Sequence, residues 1–408
     1  MLPLPRLPMK ILFVAMSDTI HTARWIGQLA GLGWDVHLFP SIDTGETHAD
    51  IAGVTVHHSV FSHKGNPGAN RYRGLRVSSR SVARFARSML TRLLPGYRTW
   101  QLRRLAAQLR PDLIHSLEIQ HAGYLVRAIK DDWQGRFPRW WVTNWGSDIY
   151  LFGRLEEHRQ RIRAVLEACD HYSCECARDV ALGREFGFRG AAMPVMPNAG
   201  GFDLARVEVL RGATPPSRRR TIMLKGYQHW AGRALVGLRA LARCADVLPG
   251  YTVVVYSANA DVVLAARLFA QETGIAVRFI EAGAPHEQIL RGHAAARISI
   301  GLSISDAIST SLLEAMVMGS FPIQSCTACA DEWLEHGVGG LLVPPEDPDV
   351  IAAALRQALT DDGLVDGGAE QNWRVACARL AADDLRARAV AMYAGLNLAP
   401  PPKEGANG

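Results

Sequence analysis

The stretch SISDAISTSLLEAMVMGSFPI, residues 303–323, decides the fold. It follows the apolar run ARISIGLS (296–303) and opens on small and hydroxyl-bearing residues. It then becomes LLEAMVMGS, mostly apolar and small like an ordinary core segment, and reads as a helix at 309–319. FPIQS supplies the next strand. A strand, a short loop, a helix and another buried strand make one βαβ unit of a parallel sheet. The stretch also carries two carboxylates, Asp306 and Glu314. Leu312, Leu313, Ala315 and Met316 crowd around Glu314, a poor setting for a charge on a solvated helix face.

Working outward, the same alternation continues on both sides. TIMLKG, YTVVVYS (251–257), AVRFIEAG (276–283) and ARISIGLS read as strands, with helices expected at 232–246, 259–273, 285–294, 309–319, 348–360 and 370–394. The first half repeats the pattern with KILFVAM (10–16), WDVHLFP, VTVHHSV (54–60), PDLIHSL (111–117), RWWVTNWG (139–146) and HYSCE (171–175). PVMPNAGGFD (194–203) and GATPPSRRR (212–220), rich in Pro and Gly, punctuate the chain between the two sets. The fold class is α/β, with two tandem doubly wound Rossmann-like domains. The expected division is an N-terminal extension at 1–8, a first domain at 9–200 and a linker at 201–219. A second domain follows at 220–375, then a helix at 376–396 that crosses back to the first domain, and a disordered tail at 397–408.

Bulk properties agree. A chain of 408 residues is too long for one ordinary core, and 48% hydrophobic with 21% charged residues is the composition of a globular protein. No apolar run reaches the roughly 18 residues that span a bilayer. MLPLPRLP is too short and proline-rich for a signal peptide and precedes MKILFVAM, so a start at Met9 is expected. Seven scattered cysteines suggest a reducing cytoplasm. The lone C-x-x-C of Cys326 and Cys329 lacks the further ligands a zinc site needs.

The net charge of +6 hides an asymmetry: residues 51–111 hold eleven arginines, one lysine and no acid, leaving the remainder net negative. Such a face meets something anionic. Within it, SRSVARFARSMLTRLL places Val82, Phe85, Met89 and Leu93 on one helical face and Arg80, Arg84 and Arg87 on the opposite one. Two readings stand side by side: a core-packed helix with a solvated basic back, and a helix lying on an anionic membrane surface. No nucleic-acid-binding motif accompanies the charge, so nucleic acid is not an expected partner. The dinucleotide fingerprint G-x-G-x-x-G and the phosphate loop G-x-x-x-x-G-K are both absent, which removes the sequence support for redox and NTPase readings.

SISDAISTSLLEAMVMGSFPI, ADEWLEHG and GVGGLLVPPEDP, in this order and spacing, resemble the donor-binding domain of family 4 glycosyltransferases with the GT-B fold. PDLIH, MPNAGGFD, DTIHTARWIGQLAGLGWDVHLF and NWGSDIY resemble that family's N-terminal segments. The resemblance implies two domains facing across a cleft and retaining transfer of a sugar from a nucleotide-sugar. It implies that Glu314 accepts hydrogen bonds from the ribose hydroxyls. Asp306 stands where the family has a Glu near the transferred sugar, one methylene shorter and followed by Ala307.

A nucleotide-sugar's diphosphate needs fixed cations and helix N-terminal N–H groups. Lys225 and Arg233 in LKGYQHWAGR, with Ser309, Thr310 and Ser311, are the candidates. Base recognition by backbone groups is expected around Ile280 to Gly283. With lysine and arginine neutralising the diphosphate, no metal and no cofactor are expected. On the acceptor side the candidates are Asp148, His21, Asp18 and His115, since His or Asp within reach can take a hydroxyl's proton. The expected partners are a nucleotide-sugar, a glycan or lipid-linked acceptor of cell-surface polysaccharide synthesis, and an anionic membrane surface met by Arg80, Arg84 and Arg87. The expected location is cytoplasmic, peripheral on the inner face of the membrane. Two other functions fit the same architecture: a nucleotide-sugar 2-epimerase, and a non-catalytic member that binds nucleotide-sugar or glycan.

Overall fold

The structure, a computed structural model, describes residues 9–396 except positions 64, 65, 67 and 282. The proposed extension at 1–8 and tail at 397–408 lie outside the described residues. The chain divides into two compact units, one of residues 1–200 with 386–408, the other of residues 201–385.

The first unit holds a parallel sheet of β1 (Lys10–Ala15), β2 (Asp35–Pro40), β3 (Thr55–His63), β4 (Arg71–Val77), β5 (Leu113–Leu117), β6 (Arg139–Thr143) and β7 (His171–Ser173). Their spatial order is β4-β3-β2-β1-β5-β6-β7. The second unit holds β8 (Thr221–Lys225), β9 (Thr252–Tyr256), β10 (Ala276–Ile280), β11 (Ala296–Gly301), β12 (Phe321–Ser325) and β13 (Leu341–Val343), ordered β10-β9-β8-β11-β12-β13 and also parallel. Helices cover both faces of a doubly wound sheet, so its strands are buried on both sides and read as unbroken apolar runs. Leu12, Val14, Ile114 and Val142 are fully buried in the first core, and Ile222, Leu224, Val253, Val255 and Ile298 in the second.

Each sheet reverses its winding at one point, between β1 and β5 in the first and between β8 and β11 in the second. Loops leaving the carboxyl ends of those strand pairs diverge and leave a crevice, the general ligand position of such sheets. Residues 16–19 and 118–123 border it in one unit, residues 226–233 and 302–309 in the other.

Three expectations are corrected. Residues 201–219 are not a linker: they contain the helix Leu204–Arg211 and belong to the second unit. Arg219, 5% exposed, donates to the carbonyls of Ala296, Met318 and Gly319, fastening the end of the Glu314 helix. The single helix expected at 370–394 is two, Asp362–Arg379 and Ala382–Ala394, and the second passes from one unit into the other at Arg386.

His115 is the third. It lies in β5 with no exposed surface, stacked on Trp141 at 4.2 Å between ring centroids. Its Nδ1 is 2.7 Å from the Tyr393 hydroxyl, which accepts from Trp25 Nε1 at 2.8 Å, and its Nε2 is 2.7 Å from Thr143 Oγ1. Burial holds its pKa well below the ordinary imidazole value, so a neutral ring spends both nitrogens inside the core. His115 ties the C-terminal helix to the first sheet and faces neither an acceptor nor a membrane. No helix among the described residues is long and apolar enough to cross a membrane.

Candidate active site

In the second unit the crevice between β8 and β11 collects the residues expected to meet the diphosphate and the ribose. The Glu314 helix runs Thr310–Met318 with Ser309 as N-cap in extended conformation, and no side chain caps its first N–H groups. Those uncapped N–H groups carry the partial positive charge that attracts anions. Lys225, the last residue of β8, reaches the same place, its Nζ 3.3 Å from Ser309 Oγ and 4.6 Å from the centre of the Tyr227 ring. Ser309 Oγ lies 2.7 Å from Ser311 Oγ, and Thr310 is half-buried at the first helical position. An ammonium, open backbone N–H groups and hydroxyls thus converge at one helix start, a combination suited to phosphate oxygens.

Glu314 lies one turn further along, 5% exposed. Its Oε1 is 2.6 Å from His286 Nε2, and its Oε2 is 3.8 Å from His293 Nε2. His293 is fully buried; its Nδ1 is 2.8 Å from Ser299 Oγ, while its Nε2 has no hydrogen-bond partner among the described residues. Burial pushes its pKa down to about 4, against the pull of the Glu314 carboxylate. Tyr256, at the carboxyl end of β9, stands edge-on to His293 with ring centroids 5.4 Å apart. Burial, then the Glu314 charge, raises its pKa. Sequence reading missed this ring of His286, His293 and Tyr256. Their only sequence signal was polarity at helix or strand ends, which many structural residues share.

Arg233 is engaged within its own loop. Its Nη1 donates to the carbonyls of His229, Trp230, Ala231 and Gly232, at 2.9 to 3.4 Å, and its Nε bonds Glu346 at 2.8 Å. The guanidinium therefore closes the 226–233 loop upon itself. Gly232 makes that closure possible, since a Cβ there would sit 2.3 Å from the Tyr227 carbonyl oxygen. Lys225 is the cation at the helix start, and Arg233 shapes the loop beside it. Asp306 is half-buried in the 302–309 loop and accepts from the Ala307 N–H at 3.0 Å. Of the expected base-binding segment, Ile280 is buried at the end of β10, Gly283 takes a positive φ of 85°, and position 282 lies outside the described residues.

In the first unit, His21 is exposed in the first turn of the helix Ile20–Gly27, its ring 5.4 Å from that of Trp145. Thr19 caps that helix. Asp18 is exposed in the loop after β1. Asp148 is 8% exposed, and its Oδ2 accepts from the N–H groups of Ile119 and Trp145, each at 2.9 Å. It holds two loops together.

Its neighbour Glu118 was not expected. Glu118 is 3% exposed, with φ 84° and ψ 156°, a backbone state costly for any residue but glycine. Its carboxylate accepts from the N–H of His121 at 2.8 Å and from that of Ala122. Burial pushes its pKa up to about 7 despite those bonds. Burial and the Glu118 charge also raise Asp148 well above the usual carboxylate range. Both acids bind their protons more tightly when folded than when unfolded. The stability Glu118 confers is therefore complete below about pH 4.5 and is lost as pH rises through about 7. Calorimetry of Glu118→Gln across pH 4.5–7.5 should show a flatter fall of the unfolding midpoint than the unaltered protein. Parallel curves would remove Glu118 from this account.

The comparisons with known proteins meet this geometry. Residues 10–173 match the sequence model of the glycosyl transferase 4-like family, and residues 233–361 that of glycosyl transferases group 1. No curated protein matches the chain in sequence. Among solved structures, sucrose-phosphate synthase from Thermosynechococcus elongatus is similar with a TM-score of 0.66 at 17% identity, covering 94% of this chain and 98% of that one. Anabaena HepE in complex with UDP and glucose has a TM-score of 0.66 at 15% identity, covering 95% and 100%. The UDP-forming trehalose-phosphate synthase from Burkholderia xenovorans has a TM-score of 0.64 at 13% identity, covering 96% and 100%.

Proposed function

On the premise that the chain is a glycosyltransferase with the GT-B fold, we propose that it moves a sugar, with retention, from a nucleotide-sugar to a hydroxyl of a lipid-linked or anionic glycan. The observation that carries this reading is the convergence of Lys225, the uncapped helix start at Ser309–Ser311 and the buried carboxylate of Glu314 in one crevice. The diphosphate of the donor lies against the helix start and Lys225, and the two ribose hydroxyls bond the two oxygens of Glu314. When the sugar leaves, charge grows on the diphosphate, and Lys225 with the helix N–H groups stabilises it. This chemistry calls for neither metal nor cofactor. Asp306 faces the transferred sugar, and the departing phosphate oxygen takes the acceptor's proton, so no protein base is required.

HepE with UDP and glucose, and a UDP-forming synthase, make a uridine diphosphate sugar the first donor to try. The acceptor belongs to cell-surface polysaccharide synthesis on the inner face of the membrane; the acid-free basic segment at 51–111 supports that placement.

A panel of UDP-, GDP- and dTDP-sugars, each with and without membrane lipid extract, tests the reading. Release of nucleoside diphosphate that depends on the extract is the expected result. An epimerised donor formed without extract would replace transfer with isomerisation, and tight donor binding without turnover would leave a binding protein.

A further inference from the structure

The helix Arg80–Leu93 sits on the first unit the opposite way round from a core-packed helix. Among the side chains described on it, Ala83 alone is fully buried, at 1% exposure, with Ala86, Arg87 and Leu90 half-buried beside it. At about 100° per residue these four form one narrow stripe. Val82, Phe85, Met89 and Leu93 form the next stripe round the helix and face solvent, at 59%, 68%, 39% and 68% exposure. Leu94, directly after the helix, is 54% exposed. A row of large apolar side chains at one surface of a soluble domain marks a contact with something apolar.

Beyond the buried stripe, Arg80, Arg84 and Arg92, with Arg87 from the edge of the stripe itself, line a cavity of about 800 Å³. Its opposite wall is Asp18, Asp43, Thr44 and Glu46, from the loops after β1 and β2. Of the acids there, Asp43 is matched from outside the cavity, and Glu46 pairs with Arg80 of the cavity itself. Asp43 bonds His58 Nδ1 at 3.0 Å and lies 3.8 Å from Arg98, and Glu46 lies 3.3 Å from Arg80. Arg87 donates to the Thr44 carbonyl. Arg84 and Arg92 stand exposed at the rim, as does Asp18. An apolar row and a guanidinium-lined cavity on two flanks of one helix ask for an occupant with both characters, an apolar chain joined to an anionic group. A bilayer containing acidic phospholipid offers both at the required depth.

We propose that the Arg80–Leu93 helix lies in the interface of an anionic phospholipid bilayer, with Val82, Phe85, Met89 and Leu93 among the acyl chains. The arginine cavity beside it then seats the phosphate of a membrane lipid at the carboxyl end of the first sheet. That this lipid is the acceptor rests on the function proposed above; the docking itself does not.

Vesicle flotation separates the two parts. Three vesicle types are compared: phosphatidylcholine alone, and phosphatidylcholine with either phosphatidate or phosphatidylserine at equal surface charge. The unaltered protein should float with both acidic vesicles, more strongly with phosphatidate, whose phosphate monoester fits the cavity. Phe85→Ser with Leu93→Ser should lower partitioning at least about tenfold, each exposed apolar side chain being worth over 1 kcal/mol on burial. Arg84→Gln with Arg92→Gln should lower it about 30-fold at low salt, from about 1 kcal/mol for each arginine near an acidic surface, and should erase the preference for phosphatidate. All four side chains are exposed, and an unchanged unfolding midpoint certifies the fold of each variant. Flotation that survives the serine substitutions, or binding without a phosphatidate preference, overturns the proposal. Donor binding, measured separately by calorimetry with UDP-glucose, reports on the glycosyltransferase reading: its failure alongside intact flotation would sink that reading and leave the docking standing.

Discussion

Glu314→Ala should raise the dissociation constant of the nucleotide-sugar at least about 100-fold while leaving the fold intact. Hydrogen bonds to a charged group contribute about 1.5–3 kcal/mol each, and a cis-diol on one carboxylate makes two of them. Glu314 is 5% exposed, so the bonds form where water competes little. His286 Nε2 lies 2.6 Å from the same carboxylate, on an oxygen that a ribose hydroxyl would share or take. His286→Ala should therefore leave donor affinity unchanged or raise it a few-fold, in contrast to the loss at Glu314. Titration calorimetry with UDP-glucose compares the two variants directly. Affinity unchanged in Glu314→Ala would remove the residue from the donor site, and equal losses in both variants would mean that the pair acts as one structural element.

Much of the fold was legible because parallel sheets buried on both faces leave continuous apolar runs, and KILFVAM or ARISIGLS has few other uses. β4 was not, since RYRGLRV carries charges along an edge strand and imitates a surface segment. Glu314 was readable from its crowding by apolar neighbours. Its companions were not, because His286 and His293 reach it only after the chain has passed through β11. Glu118 was not readable either, because neither its positive φ nor the burial of its carboxylate is announced by residue type. The Arg80–Leu93 helix is the most instructive case. Periodicity correctly grouped Val82, Phe85, Met89 and Leu93 on one face, but it cannot say whether that face turns inward. The burial of Ala83, on a helix that packs against β3 and β4, settles the direction.

Lys225→Met should lower the rate of transfer by about 10²–10³, the usual effect of removing one preorganised group from a developing oxyanion. The ammonium sits at the end of β8 against Ser309, where the first N–H groups of the Glu314 helix are open. Charge on the diphosphate increases as the sugar departs, so the interaction strengthens toward the transition state, and kcat should fall more than KM rises. Arg233→Met provides the contrast. Its guanidinium is spent on four carbonyls of its own loop and on Glu346. Its loss should loosen the loop and raise the donor KM, with kcat less affected. Steady-state kinetics on the two variants, with UDP-glucose and lipid extract as substrates, decide between the cations. A larger fall in kcat for Arg233→Met than for Lys225→Met would reverse the assignment, because a residue that only holds a loop closed has no means of sensing charge that appears at the transition state.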